Sequence, residues 1–171
     1  MTKLTLIQEQ LQALYKYNTR PEFLKPQYYD KNNLIPGEAK IGPGGRKLLN
    51  LAYAIAFTCL LRVDEVLRIE HRHIIVINDE AIEINLDYRK TARFGGKRWT
   101  GMRFEICSSC LLEILPFVLR KMPPELTHLC AFRAYADWIH TTQIVDGYVF
   151  RKIDKFDRVI DGNEPMVSVW H

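Results

Sequence analysis

Apolar positions along this chain follow two rhythms, one helical and one strand-like. From residue 4 to 16, Leu4, Ile7, Leu11, Leu14 and Tyr15 recur at steps of three and four, with Gln8, Gln10 and Lys16 opposite. That spacing predicts an amphipathic helix, with Thr5 as its candidate N-cap. From about Arg46 to Leu61 the chain is apolar nearly all round (Leu48, Leu49, Leu51, Ala54, Ile55, Phe57, Leu60). A helix without a polar face belongs in the middle of a core. Asp64 is the candidate N-cap of a short helix after it, with Glu65 in the first turn. The rhythm then shortens to two. Ile74-Ile75-Val76-Ile77 and Ala81-Ile82-Glu83-Ile84 are β-rich and flank Asn78-Asp79-Glu80, which predicts two strands and a turn. Residues 102–106 alternate again and predict a further strand.

Helical spacing returns from about Ser109 to Lys121, before Pro123-Pro124, and from about Cys130 to His140. Gly147-Tyr148-Val149-Phe150 reads as a short extended piece. Residues 19–45 hold Pro21, Pro26, Pro36 and Pro43 with Gly37, Gly42, Gly44 and Gly45, and read as a linker. The tail from Arg151 to Asn163 is polar and turns apolar again from Met166 to Trp170. Together these elements predict a mainly α fold with a small antiparallel β-sheet, of the α+β class. The expected division is an N-terminal helix and linker over 1–45 and one domain over 46–171.

Composition narrows the class. The chain has 171 residues, 47% hydrophobic and 26% charged, enough for one domain with its own core. No apolar run is long enough for a membrane span, and Met1-Thr2-Lys3-Leu4 does not open a signal peptide. Four cysteines do not make a disulfide framework, so a reducing, intracellular setting, cytoplasmic or nuclear, is expected. The net charge of +4 is a weak pointer to nucleic acid until its distribution is considered.

That distribution is uneven. Between Tyr88 and Arg103 stand Arg89, Lys90, Arg93, Lys97, Arg98 and Arg103, with no acid and with Phe94, Trp99 and glycines between them. A cationic, acid-free loop between strands suits a phosphate backbone, and a solvated hairpin tip is the plainer reading. Arg62 is a second signal. It lies between two apolar segments, three residues before Glu65, and a buried guanidinium is costly unless paired. The expectation is a buried Arg62 at the floor of a site, held by Glu65 and facing an anion. An ordinary ion pair at a helix junction is the alternative.

Other chemistry is faint. Cys107, Cys110, His128 and Cys130 have a partial zinc-ligand spacing, but small buried thiols on helical faces explain them better. His71-Arg72-His73 is expected at the surface. No nucleophile motif or phosphate-binding glycine loop is present, since Gly42-Pro43-Gly44-Gly45 lacks the lysine and the preceding strand. No metal or cofactor is expected.

Taken in order, several segments resemble the catalytic domain of tyrosine recombinases, the phage-type integrases that include Cre and the Crypton-type elements. Leu61-Arg62-Val63-Asp64-Glu65-Val66-Leu67 after an apolar helix is similar to the family's first arginine box. Tyr88-Arg89-Lys90-Thr91 resembles its hairpin lysine motif. Leu129-Cys130-Ala131-Phe132-Arg133-Ala134 is similar to a Cys-Pro-Val-Arg-Ala helix start with the proline replaced, and Val149-Phe150-Arg151 resembles the strand that comes next. The resemblance covers residues 46–155.

It implies a DNA strand-cleaving and rejoining fold without metal or external energy. Arg62 would clamp phosphate oxygens, Lys90 would protonate the leaving 5′ oxygen, and Glu65 would orient Arg62. Arg89, Arg93, Lys97, Arg98 and Arg103 would contact nucleic acid. The family's His-x-x-Arg box and tyrosine nucleophile have no counterpart in this sequence. The expectation is therefore a truncated, recombinase-like domain that binds double-stranded DNA and does not cleave it by itself. The alternative is an interaction or oligomerisation module that keeps the fold, its C-terminal apolar segment completed by a partner chain or a second copy.

Overall fold

The apolar helix is the centre of the molecule, as its all-round pattern requires. A computed structural model describes residues 3–24, 41–86, 116–154 and 156–166. In chain order its elements are α1 (Lys3–Asn18), α2 (Pro43–Cys59), α3 (Val63–Leu67), β1 (Ile74–Asn78), β2 (Ala81–Ile84), β3 (Phe117–Arg120) and α4 (Ala131–Thr142), with short 3₁₀ turns at Pro21–Phe23, His71–His73 and Pro124–Leu129. Leu48, Leu51, Ala54, Ile55 and Cys59 of α2 are buried against Ala131, Tyr135 and Trp138 of α4. The core closes over Val149 and Phe150, both fully buried, and the Trp138 indole N–H donates to the Val149 carbonyl at 3.0 Å. Burial of Tyr135 pushes its hydroxyl up to about 12.

The sheet is antiparallel in the order β1-β2-β3. β1 and β2 form the predicted hairpin, with Ile74 opposite Ile84 and a register irregularity between Val76 and Asn78. β3 corrects the sequence reading. Residues 117–120 were expected in a helix running to Lys121, and they pair with β2 instead, Ile82 opposite Leu119 and Ile84 opposite Phe117. Phe117 and Leu119 pack on the core while Val118 and Arg120 point out, a period of two that the longer apolar run conceals. Among the described residues the fold is thus helical with a small three-stranded antiparallel sheet. Among the described residues no helix is long and apolar enough to cross a membrane.

Three helix starts differ from expectation. α1 begins at Lys3, so Thr5 lies inside it. α2 begins at Pro43, a residue suited to a first helical position because its missing N–H would be unpaired there in any case. The boundary expected at 45/46 therefore falls in the first turn of α2. That turn is closed by the carboxylate of Asp157, which accepts from the amides of Gly44 at 2.6 Å and Gly45 at 2.9 Å. A side chain at Gly42 would run into the same carboxylate. The third start, that of α3, sets the position of Arg62.

Candidate functional site

α2 stops where Leu60 turns left-handed, with φ at 52°. The amides of Leu60 and Leu61 both bond the Ala56 carbonyl, and the chain re-enters a helix three residues later. Arg62, not Asp64, occupies the N-cap of α3, with extended backbone (φ −76°, ψ 157°). Its carbonyl accepts from the amides of Glu65 and Val66. Glu65 reaches back, and its Oε2 accepts from the Arg62 amide at 2.9 Å. Both halves of the junction are therefore fixed through the backbone.

The predicted roles of the pair exchange burial. Glu65 is buried, at 7% exposure, and Arg62 is exposed. The expectation of a buried guanidinium at the floor of a site is wrong. An N-cap side chain leaves the helix at its open end, and the left-handed Leu60 turns this one toward solvent. The bond between the pair runs from the Arg62 backbone amide to Glu65 Oε2.

Beside the junction lies a cavity of about 430 Å³. Asp64, Glu65 and Glu70 bring three carboxylates to its wall, against the guanidiniums of Arg68 and Arg72. Arg72 pairs with Glu70 at 2.9 Å, and the Glu70 amide donates to His73 Nδ1 at 3.0 Å. His73 is buried, contrary to its expected place at the surface. Among the described residues the lining mixes both signs, and Arg62 is not part of it. Leu86 lines the same cavity and stands four residues before Lys90 in sequence. Lys90, Arg89, Arg93, Lys97, Arg98 and Arg103 lie outside the described residues, as do the strand expected over 102–106, Cys107 and Cys110.

The remaining groups fall into the core. The Cys130 thiol is fully buried and accepts from the Met122 amide at 3.3 Å. His128 is buried on the adjoining turn, and burial together with the Lys16 charge holds its pKa below the usual histidine value. His71 packs against Tyr135, 3.3 Å from Nδ1 to the hydroxyl, and burial lowers its pKa as well. Among the described residues no cluster of three or more metal-ligating side chains is present.

Sequence reasoning passed over a second basic locus. Arg46, read only as the start of a helix, is 4% exposed. Its guanidinium carbon lies 3.7 Å from the Phe23 ring centre and 5.4 Å from that of Tyr17. Nε donates to the Ile41 carbonyl at 3.0 Å and Nη1 to Asn18 Oδ1 at 3.1 Å. The available signal was Arg46, Lys47 and Asn50 at i, i+1 and i+4, polar neighbours on an otherwise apolar helix. Comparison with protein-family models, with curated proteins and with solved structures found no match for this chain.

Proposed function

We propose that this chain is a DNA-binding domain of tyrosine-recombinase type that grips the phosphate backbone without cutting it. The observation that carries the reading is the Arg62 junction, an exposed guanidinium on a backbone fixed from both sides by Glu65 and the α3 amides. A mobile surface arginine loses side-chain and backbone freedom on binding a phosphate; one mounted on a fixed turn loses less. The order of elements supports the same reading: apolar helix, arginine junction, β-hairpin and later helix follow in the sequence expected from the resemblance. In this reading Arg62 and the cations from Arg89 to Arg103 share the phosphate contacts.

A gel-shift titration of a duplex at two salt concentrations tests it. Binding that weakens steeply as salt rises is expected, because each neutralised phosphate releases counterions. Absence of binding at low salt, or affinity indifferent to salt, removes the reading. Replacing Lys97 and Arg98 with alanine is expected to weaken binding to all sequences alike, as phosphate contacts do.

A second reading, an oligomerisation module on the same fold, draws on β1. At the sheet's edge among the described residues, this strand exposes Ile75, Val76 and Ile77, each about half or more accessible, and exposed apolar edges invite pairing with another chain. Light scattering on the DNA-free protein separates the two. A stable oligomer that does not bind duplex favours the second.

A further inference from the structure

A cavity of about 270 Å³ opens between the C-terminal end of α1, the first two turns of α2 and the first half of α4. Among the described residues three cations line it, Arg46, Lys47 and Arg133, against one carboxylate, Asp137. That carboxylate is taken, since Lys47 Nζ lies 2.9 Å from it and 2.8 Å from the Thr141 hydroxyl. Neither arginine has a carboxylate partner among the described residues. Arg46 is buried on aromatic faces and neutral oxygens. The Nε of Arg133 is shielded from solvent and has no acceptor among the described residues.

Aromatic faces and neutral oxygens satisfy the Arg46 guanidinium without cancelling its charge, so the wall stays electropositive. A neighbouring amide is oriented to help. Asn18 Nδ2 donates to Asn50 Oδ1 at 3.0 Å while Asn18 Oδ1 accepts from Arg46, so the Asn50 amide nitrogen is left as a donor on the cavity wall.

We propose that this cavity is a binding site for the phosphate group of a small phosphate ester, held between Arg133, Arg46 and the Asn50 amide. The donors left on two guanidiniums and an amide outnumber the oxygens of a carboxylate, whereas a phosphate has oxygens enough to accept from all three groups. The volume is just below the range of ordinary small-molecule sites, which suits a phosphate with a compact organic group. Tyr15 lines the same wall, and burial with the nearby Asp137 charge raises its pKa, so its hydroxyl keeps its proton and stays a donor.

The test is calorimetric titration of the full chain with inorganic phosphate, against chloride at equal ionic strength. Saturable binding of phosphate and not of chloride is expected. Arg133→Met is expected to weaken it at least tenfold, as loss of a charge-assisted hydrogen bond does. Asn50→Asp places a carboxylate among the same donors; it is expected to keep the fold and abolish phosphate binding, so the test survives an unstable Arg133 variant. Lys121→Met, an exposed cation outside the cavity, is expected to change nothing. The proposal is overturned if chloride gives the same response, or if Asn50→Asp binds phosphate as the parent does. It is also overturned if Arg133→Met weakens binding of a duplex and leaves that of phosphate unchanged, since the cavity would then be a DNA contact.

Discussion

Two arginines, Arg62 and Arg46, occupy opposite situations from those their sequence neighbourhoods suggest. Arg62 sits between apolar segments and is exposed; Arg46 follows a proline-glycine stretch and is buried. The difference lies in helix phase. Arg46 is four residues into α2, on the face where α1 docks, so Tyr17, Asn18 and Phe23 enclose it. Arg62 precedes the first residue of α3, where the side chain is not carried toward the core. An arginine's burial is thus decided by its place in a helix turn and by distant partners more than by the hydropathy of its neighbours.

The largest expected effect comes from Arg46. Arg46→Ala removes two hydrogen bonds and the stack on Phe23, and is expected to cost about 3 kcal/mol, roughly 10 °C in Tm for a chain of this length. A loss below about 1 kcal/mol in denaturant unfolding would mean that α1 docks without it. Next is Glu65→Ala, which leaves the Arg62 amide unpaired at a tight junction. About 2 kcal/mol is expected, with roughly half recovered in Glu65→Gln, whose amide oxygen still accepts. Equal loss in both variants would assign the effect to the charge and not to the hydrogen bond. Asp157→Ala frees the Gly44 and Gly45 amides and is expected to cost about 1.5 kcal/mol by the same measurement.

A smaller effect follows from His71 and His128, both with pKa values held below the usual histidine range chiefly by burial. The unfolded chain binds more protons than the folded one once pH falls below about 6.5, so stability present at neutral pH declines on acidification through that point. Thermal unfolding at pH 7.5 and 5.5 checks the sign, and His71→Gln should flatten the difference. Smallest for stability is Arg62→Ala, expected within about 0.5 kcal/mol of the parent because the backbone and not the guanidinium holds the junction.

Much of the fold was legible because its long elements carry clean periods. α2 and α4 announce themselves by apolar spacing, and the β1–β2 hairpin by β-branched runs around Asn78-Asp79-Glu80. β3 was not, because four residues at the end of the apolar stretch from Leu111 to Leu119 give too few alternations to separate strand from helix, and its pairing with β2 is a contact between distant segments. Arg62 and Glu65 were legible as neighbours at a helix junction, but that the Arg62 amide makes the bond, and which of the two is buried, depended on where α3 begins. Arg46 was illegible for another reason: its partner Asn18 is 28 residues away, across a stretch rich in proline and glycine.

The contrast between the two arginines is sharpest in duplex binding, where Arg62 is expected to matter and to leave stability untouched. The decisive measurement is the salt dependence of duplex affinity for the parent chain and for Arg62→Ala. The account predicts a steep negative slope of log affinity against log salt for the parent, weaker binding for the variant, and a slope shallower by about 0.9, the share of one phosphate contact. A parent chain that does not bind duplex at low salt, or an Arg62→Ala variant with the same affinity and slope, would contradict it.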